Sequence, residues 1–541
     1  AGGAPAPFIA GQYRTSVTQS GGSGVDPAAD LIWILPDQRR VASFARLSTR
    51  PTDSLSLFTQ LIAGGTRNAF DKDPPSLWGP WEATIYRDNA FLPAGIGARM
   101  DAAQVASFRL GRVGAGDLGR AHATLSGNLL SATVGGTWQQ PGWSIDGYYQ
   151  IGRDRTRMLY EDTLRIDRVY RGIDAVIDPV TGRTVCRSTL SHPDDGCVPV
   201  NLFGPGSVSD AARAWITEGN AVQYQDVREQ VAEATLHGDA PLLPAGPASL
   251  AAGVSWRLES ADSRSGRLPQ SLEALHVEPA ASAGYRGLPS AYSGIANIFE
   301  RTVNVDIGGR YSVREIFGEA LVPLLRDAAF ARRVDLHGAV RQARYSGSGT
   351  VLAWKLGIEW QPVESLGLRA TRSRDVRAGN LAERFDLSTS GTTIVDSVLP
   401  GRPSYAVLSQ REGNPEVEPE LSDTRTAGLV IRPAAWPGLS ATADYYDIRI
   451  RDVIALSGTQ TIINRCATGD QSMCDLIERS DAGLITRVHN RVLNIAGARS
   501  RGIDLELGWR TPLNWLGGGE SLAVRAFVTR TLESSTTDAA G

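Results

Sequence analysis

Lysine is almost missing from this chain: of 55 basic residues in 541, only Lys72 and Lys355 are lysine and the other 53 are arginine. A GC-rich genome produces that bias, and by itself it assigns no function. Long apolar runs are missing too. No stretch approaches the roughly 20 consecutive apolar residues that a membrane-spanning helix requires, which excludes a helical membrane protein although 42% of the residues are hydrophobic. The net charge is only −3 and the arginines form no clustered stripe along the sequence, so no basic field invites nucleic acid. Histidine is sparse, and His122, His192, His237, His276, His337 and His489 are scattered, none in a His-Glu-x-x-His set. No nucleophile elbow and no phosphate loop of Walker spacing is present, and GGGES from Gly517 to Ser521 reads as a turn before a strand. The expectation is therefore no enzyme, no catalytic residue, no cofactor and no metal.

The four cysteines form two local pairs, Cys186 with Cys197 and Cys466 with Cys474, each in a polar stretch rich in turn-forming residues. Both spacings exceed the roughly two-to-four-residue gap of a zinc knuckle, and His192 is the only histidine near either. Two loop disulfides in an oxidising compartment are the expected outcome. The opening AGGAPAPFIA lacks the basic and apolar regions of a signal peptide.

What the chain has in quantity is alternation with period two, the mark of a strand with one apolar face. In VLAWKLGIEW, Leu352, Trp354, Leu356, Ile358 and Trp360 share a face, opposite Lys355, Gly357 and Glu359. Leu250, Ala252, Val254, Trp256 and Leu258 oppose Ser255, Arg257 and Glu259; Ile503, Leu505, Leu507 and Trp509 oppose Asp504, Glu506 and Arg510. The connections are asymmetric. Short turns rich in Pro, Gly and Trp start at Arg50, Gly136, Gly238, Trp360, Arg432 and Arg510, whereas long polar connections run from about Thr66 to Gln104, Arg153 to Val222 and Arg374 to Leu421. Sheets in hydrocarbon must close on themselves because no edge can be left unpaired, and short turns on one side with long loops on the other are the layout of an outer-membrane barrel. About fourteen strands are recognisable. Two helices are expected within the long loops, at SVSDAARAWITEG with Ser209 or Asp210 as cap and Gly219 as stop, and from Gly379 to Phe385.

Several stretches in order resemble TonB-dependent receptors, in particular their large proteobacterial subgroup. They are CVPVNLFGPGSVSDAA (from Cys197), GDAPLLPAGPASLAAGVSW (from Gly238), YSVREIFGEALVPLL (Tyr311 to Leu325), the run from Val334 to Phe385 with its Trp-Gln-Pro turn, GNPEVEPELSDTRTAGLVIRP (from Gly413) and ADYYDIRIRDVI (from Ala443). The resemblance spans Asp30 to Thr529. It implies an all-β, antiparallel transmembrane β-barrel of the roughly 22-stranded type, incomplete here, with long extracellular loops and short periplasmic turns. Residues 1–38 would be an extracellular loop segment, 39–530 the barrel and 531–541 the start of another loop; no counterpart of the family's plug or its TonB-engaging box is found. At Arg372 the relatives usually carry an aromatic, and an arginine at the membrane interface can snorkel.

The function this implies is TonB-dependent transport of a scarce nutrient, such as siderophore-bound iron, cobalamin or an oligosaccharide, across the outer membrane into the periplasm. The implied partners are the TonB–ExbB–ExbD complex acting through the plug, a small-molecule nutrient and outer-membrane lipid. A passive porin-like channel and a soluble secreted β-rich binding protein are the alternatives. The inward face is expected to hold Arg257, Lys355, Glu359, Arg369, Asp444, Asp504, Glu506 and Arg525. The shared face of Asp504 and Glu506 could serve two-carboxylate glycosidase chemistry, but in a barrel such acids pair with arginines from other strands. Trp215, on the 209–219 helix, and Tyr405 are the candidates for ligand contact.

Overall fold

The computed structural model describes residues 35–72, 82–112, 116–240, 243–265, 308–481, 483–513 and 517–537, with the short pieces 7–14, 19–22, 74–75, 77, 286 and 299–300. His276 and most of residues 1–36 lie outside the described residues.

Fourteen long strands make up the described wall: β1 (Asp37–Thr52), β2 (Leu55–Asp71), β3 (His122–Gln140), β4 (Trp143–Glu161), β5 (Ala221–Ala240), β6 (Ala248–Ser265), β7 (Gly308–Ala328), β8 (Ala331–Tyr345), β9 (Gly349–Val363), β10 (Leu366–Arg377), β11 (Glu420–Ile431), β12 (Leu439–Leu456), β13 (Ile485–Leu513) and β14 (Glu520–Thr537). Each pairs antiparallel with the next in one unbroken meander, in the strand order of a barrel. Among the described residues no paired register joins β14 to β1, and β1 is exposed along its whole length. Pro323, which cannot donate to a ladder, sits at the register shift in β7, where a bulge removes the need for its N–H.

Register fixes which way each side chain points, because a one-residue slip would exchange the faces. Trp354, Leu356, Ile358 and Trp360 of β9 stand opposite Val340, Gly338, Leu336 and Val334 of β8, so apolar and small residues share one surface across strands. Among the described residues no protein layer covers it: Leu352, Leu356 and Ile358 are 50%, 52% and 42% exposed. Toward the short turns the surface ends in tryptophans, with Trp138 and Trp143 edge to face at 5.2 Å and the Trp360 indole N–H donating to the Phe330 carbonyl at 2.8 Å. Amphipathic rings at that level are what a membrane interface selects. Arg372, in the aromatic-type position, lies in register with Leu356 and places its guanidinium 5.8 Å from the Trp354 ring.

The strands run 12 to 29 residues, longer than the roughly ten needed to cross a bilayer. Expected loop limits are corrected accordingly: β2 continues to Asp71, β4 to Glu161 and β10 to Arg377, and the segment expected to open a loop at 531 stays in β14 through Thr537. In stretches such as Arg153–Arg157 of β4 and Glu533–Thr537 of β14 both faces are polar, so alternation of hydrophobicity no longer marks the strand although its ladder continues.

Candidate functional site

On the face opposite the exposed apolar surface, charged side chains are joined across strands. Arg369 of β10 makes a two-point contact with Asp444 of β12, at 2.8 and 2.6 Å. It reaches over β11 because the intervening residue is Gly428, where a Cβ would lie 2.0 Å from the Asp444 carboxylate. Arg525 donates to Glu506 at 2.6 Å, Thr529 to Asp504 at 2.8 Å, and Arg257 lies 3.1 Å from Glu259. Glu359 faces His337 at 3.6 Å, and Lys355 stands in register between Ala339 and Ser373. Asp504 and Glu506 are thus engaged by different side chains of β14. A polar cavity of 660 Å³ opens on this face between β4 and β10, lined by Glu229, Glu233, Glu315, Arg257, Arg341 and Tyr345 among others.

Two lobes are built from the long connections. The first contains the helices α1 (Ala94–Ala102), α2 (Ile166–Ile173) and α3 (Asp210–Ile216), with Leu118, Leu164, Val169, Tyr170 and Ile216 in a core of its own. The α3 helix is capped by Ser209, whose hydroxyl accepts from the Ala212 N–H at 3.2 Å, and Gly219 follows it with φ +98°. Cys186 and Cys197 are bonded beside this core. Trp215 packs on its edge with the Arg168 guanidinium 5.4 Å from its ring.

The second lobe is built from the β10–β11 and β12–β13 connections. A hairpin, Leu387–Val395 with Ser404–Glu412, adds in parallel to the upper part of β13. The helices α5 (Thr459–Ala467) and α6 (Gln471–Cys474), tied by the Cys466–Cys474 bond, close a core of Ile394, Val407, Ile462, Ile463, Met473 and Val488. Tyr405 is used here structurally: its hydroxyl donates to the fully buried Asp396 at 2.7 Å and accepts from the Ile485 N–H at 2.9 Å. Burial works to raise the Asp396 carboxyl, but the bonds from Arg479 and Tyr405 outweigh it and hold it below the usual carboxylate range. His489 is held at both ring nitrogens, by Glu412 at 2.6 Å and Glu478 at 2.8 Å. Burial opposes its charged form, yet the two carboxylates prevail and raise it above the ordinary imidazole value.

A knot joins this lobe to the barrel mouth. The short helix α4 (Leu381–Phe385) starts in a capping box in which Asn380 and Glu383 serve each other's backbone N–H at 2.8 Å. Arg384, 1% exposed, donates to the carbonyls of Gly379 and Pro415 at 2.8 and 2.9 Å and lies 5.0 Å from the Tyr311 ring. The Gly-Asn-Pro stretch closes the knot from the other side: Gly413 donates to the Asp386 carbonyl at 2.6 Å, and Asn414 N–H to that of Glu383 at 2.9 Å. Only glycine fits at 413, since a Cβ would lie 2.4 Å from the Phe385 nitrogen.

Residues 207–540 match the family model described as TonB dependent receptor-like, beta-barrel. The chain belongs to that family. Solved structures similar to this receptor barrel include the siderophore receptor PirA from Acinetobacter baumannii, at 13% identity over 92% of this chain and 53% of that one with a TM-score of 0.46. A mutant of the ferric enterobactin receptor PfeA from Pseudomonas aeruginosa gives 14% identity over 92% and 51%, with a TM-score of 0.48. The RagAB peptide importer in its closed-closed state gives 11% over 93% and 47%, with a TM-score of 0.46. The receptor barrel therefore spans about half the length of the solved chains it matches. No curated protein sequence matches it.

Among its charged residues, sequence reasoning missed Glu229, Glu233, Glu315 and Arg341 around the inner cavity and Arg384 in the knot. The cavity set was within reach, since Glu229 and Glu233 are four apart in one strand and share a face. Arg384 gave no signal, because its farther hydrogen-bond partner, the Pro415 carbonyl, lies 31 positions away.

Proposed function

We propose that the protein imports a scarce polar nutrient across the outer membrane into the periplasm in a TonB-dependent manner. Family membership supports uptake as the general task. The observation that carries the reading further is the pairing of an uncovered apolar outer surface with an inward face of ion pairs and an acid- and arginine-lined cavity, which favours a hydrated, charged or hydroxyl-rich solute over a greasy one. The lobes above offer the surface for capture; Trp215 and Tyr405 remain our candidates for contact there, and the inward set Arg257, Lys355, Glu359, Arg369, Asp444, Asp504, Glu506 and Arg525 for the route or for a plug seated against it. Energy would come from the TonB–ExbB–ExbD complex acting on that plug. The test is growth of a deletion strain on defined iron and glycan sources, with and without TonB. Loss of growth on one source that is reproduced by removing TonB supports the reading. Normal growth on every source, or uptake that continues without TonB, overturns it in favour of a passive channel.

A further inference from the structure

We propose that Ser144, His237 and Asp146 form a hydrolytic site for carboxylic esters on the inward face of the barrel, close to the short turns. Alternation turns Ser144 and Asp146 of β4 to the same face. The ladder then sets His237 of β5 directly opposite Ser144 and Thr235 opposite Asp146, so one imidazole reaches the hydroxyl across the strands and the carboxylate on the diagonal. Ser144 Oγ lies 2.6 Å from Nε2 of His237, and Nδ1 of the same ring lies 3.2 Å from the Asp146 carboxylate. The other carboxylate oxygen accepts from the Thr137 hydroxyl of β3. Both separations fall within the roughly 2.6–3.2 Å over which a base serves a nucleophile and is itself oriented by a third group. A carboxylate at Nδ1 places the ring proton there and leaves Nε2 to accept from Ser144.

The trio has room for a substrate. A cavity of 640 Å³ opens over it, and Ser144, otherwise buried, borders it together with His237, Gln139, Asp239, Glu319 and Lys355; small-ligand sites span about 300–1,000 Å³. Gln139 of β3 stands in register with Ser144, and its side-chain amide makes no hydrogen bond among the described residues, so it can donate to a developing oxyanion. His337 borders the same cavity but stands between Leu321 and Gly357 with no hydroxyl opposite, so the arrangement is no general habit of histidines on this wall. In the reaction, Ser144 Oγ bonds to the ester carbonyl carbon as Nε2 takes the hydroxyl proton. The tetrahedral adduct breaks its bond to the alcohol oxygen, which leaves with that proton, and the acyl group stays on Ser144. Water then repeats the sequence, giving a proton to Nε2 that returns to Ser144 as the carboxylic acid departs. Water is the only co-reactant. Asp146 touches no reacting atom and acts as a positioning residue, fixing the ring's tautomer and balancing the imidazolium. An ester is favoured over an amide because a single oxyanion donor in an open, solvated cavity suits a carbonyl with a ready leaving group. The trio sits beside the short Pro141–Gly142 turn, where a cargo ester would meet it at the periplasmic end of the lumen; that placement rests on the import proposed above, whereas the hydrolysis does not.

The test uses the full-length protein in nonionic detergent micelles, with para-nitrophenyl acetate as substrate and a biotin-tagged alkyl fluorophosphonate as label, whose phosphorus a competent serine attacks with loss of fluoride. Nitrophenolate release above the protein-free micelle rate, and a phosphonyl adduct on Ser144 located by mass spectrometry, are the expected results. Ser144→Ala and His237→Gln should each lower kcat/KM by about 100-fold or more, the lower end of what a positioned base contributes. Asp146→Asn should lower kcat by about tenfold or more with KM unchanged, a split that loss of wall stability alone does not give. His122→Gln, whose ring meets Asp71 at 2.7 Å and no hydroxyl, should match the parent. Should a variant not fold, the adduct on the parent still decides. No release above the micelle rate, an adduct only on another residue, or parent-like turnover in Ser144→Ala overturns the proposal. Uptake that continues without TonB would sink import and leave the adduct unaffected, a separate failure.

Discussion

Replacing Arg384 by methionine keeps a long side chain in the knot and removes only its fork. Two backbone carbonyls, Gly379 and Pro415, then lose a charged donor while the surrounding packing holds them away from water. Hydrogen bonds to charged groups contribute about 1.5–3 kcal/mol each, so the gross loss is about 3–6 kcal/mol. Against this, the variant no longer buries a guanidinium, whose desolvation costs several kcal/mol and which burial already pushes below the usual arginine value. One of its nitrogens, Nη2, has no partner here, so part of that cost is uncompensated in the parent. The net expected penalty is about 2–4 kcal/mol, confined to the knot. In amide hydrogen exchange this reads as an increase of about 30- to 700-fold at residues 380–386 and 413–417, at tenfold per 1.4 kcal/mol. The paired segment of β13 below it should keep its protection. Arg384→Lys should fall between the two, since a point charge can reach one carbonyl but not span both. Unchanged exchange at both segments in the methionine variant would refute the assignment of Arg384 as the tie.

Further outcomes follow from the same geometry. Changing Cys466 and Cys474 together to serine should lower the stability of the second lobe by about 2.5 kcal/mol, the chain entropy of so short a loop, measured by proteolysis of 457–484 in folded protein. Because the folded pKa of His489 is raised, its clamp contributes fully below the unfolded value of about 6.5 and weakens as pH rises through the folded value; exchange protection of the Leu387–Glu412 hairpin should be higher at about pH 5.5 than at about pH 8.5. Equal protection would remove His489 from the clamp. Arg369→Gln with Asp444→Asn should cost no more than about 1 kcal/mol, because the arginine is half exposed, whereas Leu356→Arg on the outward face should cost about 2–4 kcal/mol of membrane stability near the midplane. Reversibly folded protein in urea and lipid reads both.

The barrel was legible because hydrophobic alternation and turn asymmetry are local. The strands around Leu250, Leu352 and Leu505 form where alternation predicted them, and the disulfides form as their spacing predicted. Strand ends were not legible, since the segments Arg153–Arg157 and Glu533–Thr537 are polar on both faces and only their ladders identify them. The lobes were half legible. The Ser209 cap announced α3, but the parallel addition of Leu408–Glu412 to Arg487–Arg491 depends on residues about 79 positions apart and leaves no periodic trace. The two stretches Gly379–Phe385 and Gly413–Pro415 each stood out in the sequence; that they exist to hold one another over Tyr311 is a tertiary fact.

Single cysteines at 352, 354, 356 and 358, and at 355, 357 and 359, labelled with an environment-sensitive dye in protein reconstituted into bilayers carrying nitroxide-labelled acyl chains, test the central claim most directly. The account predicts strong quenching by the lipid at the even positions and water-like emission at the odd ones, alternating residue by residue. Even positions shielded from the acyl chains, or no alternation along β9, would contradict it.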